Sequence, residues 1–134
     1  MYSKKALDGH YFKTSGFYFF FIPVKVPYKK VYAMAESADL KLKEKFGPIL
    51  ESGKMFGFGW IGVEVEKLSE SRDDVVHVKK DYETFEYRGA YKTLGRAYKK
   101  LMKERPGKKQ YLNLFLDDPE KVVPENCRTI ILFK

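Results

Sequence analysis

Trp60 and Glu64 stand four residues apart in a stretch that alternates apolar and polar side chains. On a strand that spacing puts the indole and the carboxylate on one side, because strand side chains alternate. A ring face attracts positive charge and a carboxylate pairs with it, so the two together are the parts of a cation site. Gly62 lies between them, and a position without a side chain lets a flat ligand approach the sheet. Glu64 and Glu66 on that side also fit a plain solvated face. Other chemistries find less support. His10 and His77 are far apart in sequence and have no neighbouring cysteine, so zinc is not expected, nor is any other metal. Asp117-Asp118-Pro119 reads as a turn, since two adjacent carboxylates supply too few oxygens for a hard cation. The glycines from Gly57 to Gly62 have dinucleotide-loop spacing but open a strand, where that mechanism fails. No serine or cysteine nucleophile signature is present, and no catalytic residue is assigned. No cofactor is expected.

The elements that would position these groups follow from periodicity. Residues 1–15 are polar and read as an irregular arm. Residues 17–26 are aromatic and β-branched, which predicts a strand. Tyr28, Val31, Ala35, Ala38, Leu42 and Phe46 recur at three- and four-residue steps, predicting a helix over 28–46 that Gly47-Pro48 ends. Residues 58–68 form a long strand with Ile61, Val63 and Val65 on one side, and 75–78 a return strand. The second half repeats the order: a strand at 83–88, a helix from Tyr91 through Leu94, Tyr98 and Leu101, a strand at 111–116 and a last strand at 129–133. The expected fold class is α+β: a duplicated strand–helix–strand–strand module, with an antiparallel sheet, two helices on one face and a central cleft. One domain spans 1–134, with an arm at 1–15, a first module at 16–80 and a second at 81–134.

The second half carries a resemblance. Tyr82-Glu-Thr-Phe-Glu-Tyr-Arg-Gly-Ala-Tyr91, then Leu94, Ala97-Tyr98 and Leu101, then Leu116-Asp-Asp-Pro119 and Pro124-Glu-Asn-Cys-Arg-Thr129 with an apolar end resemble the GyrI-like small-molecule-binding family. The family includes DNA gyrase inhibitory proteins and effector domains of multidrug-sensing regulators. The first half matches in layout, with Val26-Pro27-Tyr28 at the strand–helix junction. The resemblance implies a cleft that takes bulky aromatic compounds, cations among them, with Tyr91 near it. It implies that Asn113 and Phe115 line it too, although relatives often carry a carboxylate at the position of Asn113, and a Glu at that of Ile130. Hydrolysis of electrophilic aromatic toxins is the alternative, for which Glu64 and Tyr91 are the pair to nominate. DNA gyrase or another protein is the partner the family suggests.

Composition sets the outer bounds. Hydrophobic residues make up 44% and aromatic ones 16% of 134 residues, enough to build a core rather than remain disordered. The net charge is +8, but 26 basic and 18 acidic residues are spread along the chain, so a solvated surface is expected and nucleic acid is not. The basic run on the second helix, from Lys92 to Arg105, is the exception to weigh. Cys127 is the one cysteine and falls in a predicted strand, which suits a reducing compartment. No leader and no apolar run of membrane-spanning length is read, so a cytoplasmic location without membrane contact is expected.

Overall fold

Leu7, Gly9 and Tyr11 lie on one side of the chain and Phe12 on the other, and all four are buried. That alternation belongs to a strand, and Tyr2–Gly16 forms β1, where an irregular arm was expected. The structure, a computed structural model, describes residues 2–16, 28–45, 47–52 and 59–134. The expected strand at 17–26, together with Phe46 and Phe58, lies outside them. β1 is bonded along both edges. Tyr2 to Phe12 pair antiparallel with Phe85 to Val75 of β4 (Val75–Arg88), and His10 to Gly16 with Val65 to Gly59 of β3 (Gly59–Val65). The segments expected as separate strands at 75–78 and 83–88 are one continuous strand, because β1 supplies partners along its length.

The helix expected over 28–46 is shorter. α1 (Tyr28–Ser37) stops where Asp39 takes a positive φ of 59°, a left-handed conformation that aspartate tolerates better than most residues and that ends helices. The Leu40 amide donates to the Ala35 carbonyl across this turn. Leu42, which had completed the helical period, instead bridges to Val65 of β3. Short strand β2 (Ile49–Ser52) follows, then β3. In the second half α2 (Leu94–Glu104) is preceded by a tight turn at Tyr91–Thr93, and β5 (Tyr111–Phe115) and β6 (Arg128–Phe133) complete the chain.

The expected α+β class, an antiparallel sheet with two helices on one face and a central cleft, is overturned. Among the described residues six strands close into one antiparallel barrel in the order β1-β3-β2-β5-β6-β4, with two short helices, so the fold is mostly β. Two pairings made by segments not expected as strands close it: β1 with β4 on one side, and β2 with β5 on the other. A ring of six strands has an interior just wide enough for side chains, so α1 and α2 lie outside it. The inward side chains Leu7, Tyr11, Leu50, Tyr82, Leu114 and Leu132 form one buried cluster, which fills the space a cleft would need. The outward side chains pack with the helices: Ile49, Ile61, Val63, Phe85 and Ile131 meet Val31 and Ala35 of α1 and Leu94, Ala97, Tyr98 and Leu101 of α2.

Gly62 shows how tightly the ring closes. A β-carbon there would come within 2.4 Å of the Phe12 carbonyl oxygen on β1. Backbone cannot yield as a side chain can. Gly62→Ala should therefore lower unfolding stability by about 1–3 kcal/mol, read as a fall in the urea midpoint, and an unchanged midpoint would show that β1 and β3 are not held this close.

Candidate functional site

The pairing of β2 with β5 places Glu51 directly opposite Asn113. Both side chains point outward, to the side covered by the helices, because each shares its strand side with a buried outward neighbour: Ile49 for Glu51 and Phe115 for Asn113. Asn113 is wholly buried and Glu51 is 5% exposed. Tyr98 reaches down from α2, and its hydroxyl donates a short hydrogen bond to Asn113 Oδ1. The amide of Asn113 has its donor end left over, and Nδ2 donates to Glu51 Oε1 at 2.8 Å. The three groups form a directed chain from phenol to amide to carboxylate.

The electrostatics of the chain are one-sided. Burial pushes the Glu51 carboxyl up from its ordinary value, and the bond from Asn113 only partly offsets this. No cation among the described residues pairs with it. Burial, reinforced by the negative charge of Glu51, holds Tyr98 well above the usual phenol range, so Tyr98 stays a donor. A buried carboxylate without a cation is costly in its charged form. One strand further on, the Thr129 hydroxyl, opposite Phe115, is buried with no hydrogen-bond partner among the described residues. The outward side of β2, β5 and β6 therefore holds polar groups whose bonding capacity is not used up.

The residues expected from sequence separate into two places. Asn113 and Phe115 belong to this outward side. Tyr91 joins them: its ring packs on Phe115 with centroids 4.7 Å apart. Its hydroxyl is committed to the backbone, donating to the Asp117 carbonyl at 2.6 Å and accepting from the Asp117 amide at 3.1 Å. Asp117 in turn takes two bonds from the Arg128 guanidinium, at 3.0 and 3.1 Å, and one from the Arg128 amide, and the guanidinium holds its carboxyl below the usual range. Tyr91 thus fixes the turn expected at Asp117-Asp118-Pro119. Trp60 and Glu64 lie on the opposite, inward side of β3. The space above Gly62 is not open to a flat ligand, because the Trp60 ring lies over it, 2.9 Å from where a β-carbon would stand. Glu64 is near Lys43, with Nζ 3.6 Å from Oε2. Glu64 and Tyr91, nominated as a hydrolytic pair, sit on different sides of the barrel wall and do not come together.

His10 and His77 are cross-strand partners on β1 and β4, with rings stacked 4.2 Å apart, and His77 Nε2 lies 2.8 Å from Asp8 Oδ1. Among the described residues no group of three or more His, Cys, Asp or Glu could hold a metal ion. Neither a family model nor a curated protein matches the chain.

Glu51 makes stability pH-dependent in a definite direction. Its folded value is raised, so the folded protein holds this proton where the unfolded chain has released it. The penalty is absent below the ordinary carboxylate range, grows as pH rises through that range, and is complete above the raised folded value. Glu51→Gln should leave stability close to that of the parent at low pH and exceed it increasingly as pH rises to neutrality. Urea midpoints over a pH series measure this; a difference between the two that does not vary with pH would show that Glu51 is not a buried, titrating acid.

Proposed function

We propose that this protein is a binding module for bulky aromatic compounds that carry a positive charge or a strong hydrogen-bond donor, with Glu51 as the anchor. The observation that supports this reading is the buried Glu51 carboxylate, tied by one hydrogen bond to Asn113 and without a cation among the described residues. A cationic ligand would relieve the cost of that charge, since a buried ion is tolerated when paired. Phe115 and Tyr91 pack ring against ring on the same side, and the Thr129 hydroxyl, without a partner among the described residues, has a hydrogen bond to give. The resemblance of the second half to GyrI-like proteins points to the same ligand class. In those relatives a carboxylate often stands at the position of Asn113, and here Glu51, its cross-strand partner, would serve that purpose. We place the protein in the cytoplasm on the strength of its single cysteine, buried at Cys127; among the described residues no helix is long and apolar enough to cross a membrane.

Titration with a planar aromatic cation such as ethidium, followed by its own fluorescence, tests the proposal. Glu51→Gln should weaken the cation about 10–100-fold, the worth of a charge-assisted bond, while a neutral aromatic of the same shape loses much less. Equal weakening of both, or a cation that binds the variant as well as the parent, would remove Glu51 from the site.

A further inference from the structure

Lys92, Arg96, Lys99 and Lys103 follow one another at steps of four, three and four residues. The buried side of α2 is made by Leu94, Ala97, Tyr98 and Leu101. At 3.6 residues per turn Arg96, Lys99 and Lys103 lie on the diametrically opposite side, and Lys92 precedes them in the tight turn that leads into α2. All four are exposed, and none has an ion-pair partner among the described residues. The other basic groups near this helix are spoken for. Lys100 reaches Glu104 at 3.8 Å, Arg105 lies over the Tyr2 ring at 4.2 Å, and Lys108 pairs with Glu83 at 3.1 Å. Glu104 is the single carboxylate of α2, and it is taken up by Lys100 and by the Tyr2 hydroxyl. A sequence with its charge spread along the chain thus folds to a ridge of one sign with its counter-charges used elsewhere.

The ridge does not serve the helix. Like charges three and four residues apart repel, so the pairs Arg96–Lys99 and Lys99–Lys103 destabilise α2. Lys92 sits beside the N-terminus, where the helix dipole disfavours a cation. An anionic partner would turn each of these costs into an attraction.

We infer that this ridge docks on duplex DNA, along the phosphates and without reading base sequence. Three cations over about 10 Å of helix, with Lys92 in the turn before them, form an array that matches a linear polyanion. A convex helix whose outer stripe holds no acid fits the major groove of B-form DNA, which admits an α-helix, whereas the deep and narrow major groove of an RNA duplex does not. Single strands are bound on aromatic platforms, and the stripe carries none: Tyr98 is buried beneath α2 and the Tyr91 hydroxyl is held by Asp117. This inference is independent of the ligand site at Glu51.

Fluorescence anisotropy of a labelled 20-base-pair duplex of arbitrary sequence is the test, with the intact chain and a salt series. If four phosphates are neutralised, the slope of log affinity against log salt is about −3.6. Affinity then falls roughly 150-fold between 50 and 200 mM salt. Replacing Lys92, Arg96, Lys99 and Lys103 together by Gln should bring the slope close to zero. The same variant should melt no lower than the parent, since repulsion within α2 is relieved. A second variant, with Lys4, Lys5, Lys79 and Lys80 replaced by Gln, loses the same charge elsewhere and should keep most of the binding. The inference fails if the parent does not bind at 50 mM salt, or if both variants lose affinity equally, which would make it an effect of net charge. It also fails if polyglutamate binds the ridge as tightly as DNA does, which would make the partner an acidic protein.

Discussion

The four-residue pairing of β2 with β5 is the joint on which the rest of the molecule depends. Without it the strands would make an open curved sheet with two free edges. With it the hydrogen bonding of the sheet runs around without a break, and the interior shuts on its leucines. The same joint sets Glu51 beside Asn113 and beneath Tyr98. One short ladder therefore decides both the shape of the barrel and where an acid without a cation among the described residues is buried. A buried acid at such a place is a poor choice for stability alone, since apolar residues of the same volume would serve as well or better. That imbalance is the ground on which a function is proposed at this position rather than on the strands around it.

The order of several elements is what the hydrophobic periods make visible. The side that Ile61, Val63 and Val65 share is correct because β3 alternates cleanly over its whole length. β5, β6 and the body of α2 are also legible, each having a strong period between turn residues. β1 was hidden for a physical reason. It buries its core-facing side chains sparsely, and Lys4, Lys5, Asp8 and Lys13 break up the pattern, so its identity as a strand rests on two partners far along the chain. Backbone pairing of that kind leaves no local trace. β2 was hidden by brevity: four residues are too few to show a period, and its partner lies more than sixty positions away.

The candidate site divides along the same line. Asn113 and Phe115 were named through the resemblance, and the structure puts both on the outward side of β5, with the Tyr91 ring on Phe115. Glu51 was missed because its meaning comes wholly from the residue opposite. A reading that paired Glu51 with Asn113 would have had to know the register of β2 on β5. Trp60 and Glu64 were correctly put on one side of a strand, but alternation alone does not tell which side of a curved wall is the interior. The helix over 28–46 erred for a related reason: the apolar step at Leu42 satisfies a bridge to Val65 as well as it would a helix.

The position of β1 has a consequence for how the chain reaches its fold. Tyr2 pairs with Phe85 and Phe12 with Val75, so the longest ladder in the molecule joins segments separated by most of the first half of the sequence. Loops of that size must close before their contacts reward closure, and closure is what limits the speed of folding in such topologies. Until β4 docks, β1 can pair only with β3, and its other edge stays open to any strand that meets it. The barrel, once closed, has no such edge. The most exposed moment of this protein's existence is thus the interval before its second half arrives, and the residues that shorten that interval matter more to its survival in a crowded solution than those that deepen its core.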